Sequence, residues 1–212
     1  MIIPAILVKT FAEFAEQAKK LSFSPIIQID VMDGEFVPNK SFTEIEKING
    51  LNLKNEWELH LMVQHPLAEL KKWKKVKNVA RVIFHFECQD DIAETIAAIK
   101  KNGFDAGLAI NPETTVEKIH PFLKDLEVVL FMTVYPGRQG APFVPAVEKN
   151  IKKLNKILSE RNYRPQLAVD GAIKKENIQM IKKWGVHNFC VGSAIITAAD
   201  PKEAFNQLNQ LI

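Results

Sequence analysis

The chain has 212 residues, 47% hydrophobic and 25% charged, an ordinary balance for a soluble globular domain with a sizeable core. A net charge of +3, dispersed along the chain, excludes an electrostatic nucleic-acid binder, and Lys71-Lys72-Trp73-Lys74-Lys75 reads as the solvated end of a helix. The apolar run Val128 to Val134 is too short to cross a bilayer, and Cys88 and Cys190 form no spaced metal or redox motif, which suits a reducing cytoplasm.

Short β-rich runs alternate with amphipathic ones from end to end. Ile2–Val8 reads as a strand rather than a signal peptide, and Thr10 caps a helix through Leu21. Ile26–Met32 is the second strand, followed by a turn-rich loop and a short helix from Thr43 to Asn49. Trp57–Val63 is the third, and Pro66 opens a helix where proline is favoured. Val79–Phe86 leads to a helix over Asp90–Asn102, closed by Gly103. Phe104–Ile110 then precedes a helix over Thr114–Leu123, and Glu127–Val134 precedes one over Val144–Arg161. Gln166–Asp170 precedes Lys174–Trp184, and Asn188–Val191 precedes a short turn and a last helix from Pro201 to Leu211. Eight such units without a linker predict a closed (β/α)8 TIM barrel, one domain over 1–212. A GxGxxG fingerprint after the first strand, which an open dinucleotide-binding sheet would want, is missing.

Polar residues collect at the C-terminal ends of these strands: Asp30, His60, His85, Asn111, Asp170 and Gly192-Ser193. Each alone is explained as well by a hydrogen-bonded strand end or a helix cap, but in a barrel those ends share one mouth. Asp30 and Asp170 would face each other across a bound molecule, which suits removing a proton from one face of a carbon and returning it to the other. With His60 and Gln28 they form a candidate divalent metal site of mixed oxygen and nitrogen ligands. Met32, Met62 and Met132 share inward parity and serve either as core filler or as an apolar lid beside the carboxylates. Gly137, Gly140, Gly171, Gly192 and Ser193 let backbone N–H groups approach a phosphate, although turns need glycine in any case. Arg138 could add a charged donor to that cradle, with an exposed loop arginine as the plain alternative.

Val31-Met32-Asp33-Gly34-Glu35-Phe36-Val37-Pro38-Asn39, His60-Leu61-Met62, Asn111-Pro112, Met132-Thr133-Val134-Tyr135-Pro136-Gly137, Val169-Asp170-Gly171 and Val191-Gly192-Ser193 together resemble the ribulose-phosphate 3-epimerase family, in order and spacing. The resemblance implies a barrel enzyme that binds a divalent metal and epimerises a ketopentose 5-phosphate at C3. It implies that Asp30 and Asp170 are the paired acid and base and hold the metal with His60, and that the chain is a cytoplasmic homo-oligomer. The sequence also departs from the family pattern. Gln28 stands where a second histidine ligand is usual, and Ala5 where the first-strand motif has serine. Pro136-Gly137-Arg138-Gln139-Gly140-Ala141 replaces a loop richer in glycine, and Ala172 stands for the glycine after Gly171. A neutral amide oxygen in place of imidazole shifts the expected ion from zinc towards manganese, iron or magnesium. Two other functions stay open: an epimerase or isomerase of another phosphorylated sugar, and a catalytically silent phosphosugar-binding barrel.

Overall fold

A computed structural model describes residues 1–137 and 140–212. Eight parallel strands close on themselves in chain order: β1 (Ile2–Ile6), β2 (Ile26–Met32), β3 (Glu56–Met62), β4 (Val79–His85), β5 (Asp105–Ile110), β6 (Val128–Met132), β7 (Gln166–Asp170) and β8 (Asn188–Val191). The helices are α1 (Phe11–Lys20), α2 (Pro66–Trp73), α3 (Ile92–Lys101), α4 (Val147–Arg161), α5 (Ile178–Lys182), α6 (Ser193–Ile196) and α7 (Pro201–Asn209). The predicted TIM barrel is borne out, and among the described residues no helix is long and apolar enough to cross a membrane.

Side-chain alternation divides the core into two shells. Ile27, Ile29, Val31, Leu59 and Leu61 belong to the shell between barrel and helices, while Ile3, Ile83, Leu130, Ala168 and Cys190 fill the barrel. Gln28, Asp30 and Met32 share the inward parity, as do Glu58, His60 and Met62 on β3, and Asp30 pairs in register with His60 and Met32 with Met62. Lower in the barrel the Glu58 carboxylate meets Arg81 at 2.7 Å, an internal ion pair that the sequence pattern did not single out.

The local signals explain most element ends. Thr10 and Glu13 form a capping box on α1, each side chain accepting the other's backbone N–H at 3.3 and 3.1 Å. Many element ends shift by one to three residues, and four helical segments differ in kind or in how they begin and end. The run expected as a helix over Thr114–Leu123 is two 3-10 turns, Val116–Lys118 and His120–Asp125, with Pro121 removing a backbone donor at the break. The short helix after β2 is likewise a 3-10 turn, Ile45–Leu51. Helix α3 covers Ile92–Lys101 of the expected Asp90–Asn102 and is capped by Asp91, while the Asp90 carboxylate accepts from the Leu67 N–H at 2.8 Å. Helix α5 covers only Ile178–Lys182 of the expected Lys174–Trp184.

Candidate active site

The loop after β2 is folded by Asp33. Its carboxylate accepts from the N–H groups of Glu35 (2.8 Å), Phe36 (2.9 Å) and Gln64 (2.7 Å), so it builds the turn and ties it to the end of β3. Burial works to raise its pKa, yet these backbone donors hold it below the ordinary carboxylate value. On the other side of the mouth, the Thr133 hydroxyl donates to the carbonyls of Asp170 (2.9 Å) and Gly171 (2.6 Å), pinning the end of β7 to β6.

Between these anchors lies a cavity of about 240 Å³. Asp30, His60 and Asp170 line it, together with Met32, Met62 and Met132 and with Gly137, Gly140, Gly171, Gly192 and Ser193. The residues expected to carry acid–base chemistry and phosphate binding therefore share one cavity. Gln28 is fully buried beneath it. His85 and Asn111, expected at the mouth, do not line it. His85 is wholly buried behind His60, with the Phe36 ring packed on it at 4.8 Å between centroids. The Asn111 N–H is turned away to the Glu87 carboxylate at 3.0 Å. Arg138 lies outside the described residues.

His60 Nδ1 stands 3.0 Å from Asp30 Oδ1 and 3.2 Å from Asp170 Oδ2. The Gln28 amide nitrogen donates to the same two oxygens, at 2.8 and 2.6 Å. Burial, and then the charge of Asp170, raises the Asp30 pKa against the bonds from His60 and Gln28. Burial pulls the His60 pKa down, but the hydrogen bonds and charges of Asp170 and Asp30 prevail and raise it to about 10. Its neighbour His85 is lowered to about 4, by burial first and despite the Glu87 carboxylate. His60 thus holds a proton that a free imidazole would lose at neutral pH.

The donor set fits a divalent cation. Ligand atoms of Asp30, His60 and Asp170 lie within 4.8 Å of one another. Two carboxylates and a neutral imidazole balance a charge of two plus once His60 gives up its Nδ1 proton. Gln28 Oε1 is buried without a partner while the amide nitrogen faces both anions. Turning the amide would aim that oxygen between the carboxylates, an orientation that a bound cation makes favourable.

The sequence reading missed Glu87 and Thr114, which hold the back of the site; the spacing of Glu87 two residues after His85 was the available signal. It also missed Leu7, Cys190, Ile196 and Thr197, which line the cavity with only ordinary core and turn character to mark them.

A closed parallel barrel whose buried acids gather at the C-terminal ends of its strands is the architecture of a barrel enzyme. Residues 1–196 match the model of the ribulose-phosphate 3 epimerase family, and the chain belongs to that family. It is 29% identical over 212 residues to ribulose-phosphate 3-epimerase of Escherichia coli K12, spanning 98% of this chain and 94% of that one. It is 31% identical over 215 residues to the enzyme of that name from Bacillus subtilis 168, covering 98% and 97%. Among solved structures, 3-hexulose-6-phosphate synthase from Salmonella typhimurium superposes with a TM-score of 0.68 at 17% identity, over 99% of this chain and 97% of that one. Membership places the chain among the epimerases that act on carbohydrates, as its motifs implied.

Proposed function

We propose that residues 1–212 act as one sugar-phosphate-binding barrel that epimerises a ketopentose 5-phosphate at C3, with Asp30 and Asp170 as its acid and base. The observation that carries this reading is the convergence of two carboxylates on one imidazole nitrogen, at 3.0 and 3.2 Å, in a cavity that Gly137, Gly140, Gly171 and Gly192 also line.

The reaction needs one group without a proton and one with it. One carboxylate takes the proton from C3, and the C–H electron pair moves into the C2 carbonyl to give an enediolate. The other, protonated, delivers its proton to the opposite face of C3 as the pair returns. Burial and the charge of Asp170 raise the Asp30 pKa, which favours its protonated form. Asp30, Asp170, His60 and, after rotation of its amide, Gln28 would hold a divalent ion, which supplies polarisation of the carbonyl oxygen and stabilises the negative charge placed there. Met32, Met62 and Met132 keep water from the enediolate. The phosphate is received by backbone N–H groups of Gly140, Gly171, Gly192 and Ser193.

Ribulose 5-phosphate and a panel of other ketose phosphates, followed for C3 exchange with solvent deuterium, test this function. Exchange fastest with a ketopentose 5-phosphate supports it; no exchange with any sugar in the presence of manganese, iron, magnesium or zinc contradicts it. The second reading is a sugar-phosphate binder without turnover. It draws on Gln28, whose amide satisfies both carboxylates with no cation present, and it predicts sugar-phosphate binding without metal uptake.

A further inference from the structure

Behind His60, on the side away from the cavity, runs a chain of hydrogen-bonding groups that the proton transfer does not use. His60 Nε2 lies 3.0 Å from His85 Nε2, and the two rings meet edge to edge, with 5.1 Å between centroids and 24° between their planes. His85 Nδ1 lies 3.4 Å from Glu87 Oε2. The other Glu87 oxygen accepts from the Asn111 N–H at 3.0 Å and from the Thr114 hydroxyl. Glu87 comes just after β4, and Asn111 and Thr114 from the loop after β5, so neighbouring barrel loops fix the carboxylate.

The direction of each bond follows from what each group can offer. A carboxylate held by two donors on one oxygen acts as an acceptor on the other, so the His85 proton sits on Nδ1. His85 then presents a lone pair at Nε2. Two nitrogens 3.0 Å apart share one proton, which therefore belongs to His60 Nε2. A neutral His60 that donates from Nε2 has its lone pair on Nδ1, the atom facing Asp30 and Asp170. We infer that Glu87, acting through His85, selects the tautomer of His60 that can bind a divalent cation beside Asp30 and Asp170. Glu87 and His85 are positioning residues, and Thr114 orients Glu87. This rests on the metal site proposed above.

Glu87→Gln separates the role from simple packing. The glutamine oxygen would take the Asn111 and Thr114 donors, leaving its NH2 towards His85 Nδ1. His85 would become the donor at Nε2, and the proton of neutral His60 would move to Nδ1, against the cation. Zinc and manganese affinities, measured by competition with a chromophoric chelator, should fall by about 10- to 100-fold in Glu87→Gln, the usual effect of losing a partner behind a metal ligand. Glu87→Ala removes the acceptor without inverting the bonds and should lose less, and Thr114→Val should lose less again. A packing role reverses that order, because alanine leaves the larger gap. The imidazole 15N spectrum of the metal-free protein above pH 10, where His60 is neutral, supplies a second readout: His85 protonated on Nδ1 in the wild type and on Nε2 in Glu87→Gln. Wild-type affinity and an unchanged His85 tautomer in Glu87→Gln overturn the inference, as does a greater loss in Glu87→Ala. If the wild type takes up neither ion, the metal reading fails, and the His85 spectrum by itself decides whether Glu87 sets the ring.

Discussion

The Gln28 amide nitrogen lies 2.6 Å from Asp170 Oδ2 and 2.8 Å from Asp30 Oδ1, so one neutral side chain joins carboxylates delivered by β2 and β7. Removing it should expose their repulsion. Gln28→Leu should destabilise the metal-free protein by about 1–3 kcal/mol, the usual cost of leaving buried acceptors unpaired. Gln28→His should instead tighten metal binding and raise turnover, by adding a fourth ligand that needs no amide rotation. Denaturant titration checks the first outcome, and chelator competition with steady-state kinetics the second.

The pH dependence of the metal-free protein follows from His60. Its pKa is about 10 in the folded protein against about 6.5 unfolded, so the folded state binds this proton more tightly. The contribution is complete below pH 6.5 and is lost as pH rises through 10. A cation must displace the same proton, so metal affinity should rise over that window. Unfolding curves at pH 6.5, 8 and 10 should show the alkaline loss in the wild type and a smaller one in His60→Gln.

Gly171 and Ala172 follow Asp170 with φ of +115° and +52°, both in the left-handed region. A Cβ on Gly171 would run into the Val134 side chain, so Gly171→Ala should destabilise through clash and strain together. Ala172 already bears the strain of a non-glycine residue there. Ala172→Gly should stabilise by up to about 1 kcal/mol, the relief of strain exceeding the added freedom of the unfolded chain. Thermal melts of the two variants should move in opposite directions.

Gly192 lines the cavity, and a Cβ there would make only ordinary contact, 3.5 Å from the Ala5 carbonyl oxygen. Gly192→Ala should therefore fold and yet weaken sugar-phosphate binding by placing a methyl group in the space proposed for the phosphate. Calorimetric titration with a ketose phosphate reads this directly, and unchanged affinity would remove Gly192 from the cradle.

The barrel was legible because alternation and turn chemistry are local. Ile26–Met32, Gln166–Asp170 and Asn188–Val191 have the predicted bounds. The fifth helical segment was not legible, because Thr114–Leu123 keeps an apolar spacing while Pro121 denies it the backbone donor an α-helix needs. In the site, Asp30, His60 and Asp170 stood out as polar residues on apolar strands, and strand parity alone sends them inward. His85 has the same parity, yet it lies behind another ring, an arrangement set by side-chain packing across β3 and β4. Glu58 and Arg81 pair only through the register of those two strands, which no local pattern announces.

The central claim is that Asp30 and Asp170 exchange the C3 proton between them, and solvent-deuterium incorporation at C3 of ribulose 5-phosphate tests it most directly. Wild-type protein loaded with manganese should incorporate deuterium into both the substrate and its C3 epimer. Asp30→Asn and Asp170→Asn should each lower the exchange rate by a factor of roughly a hundred to ten thousand, the usual worth of a general acid or base. Exchange at the wild-type rate in either variant, with metal still bound, would contradict the two-carboxylate mechanism.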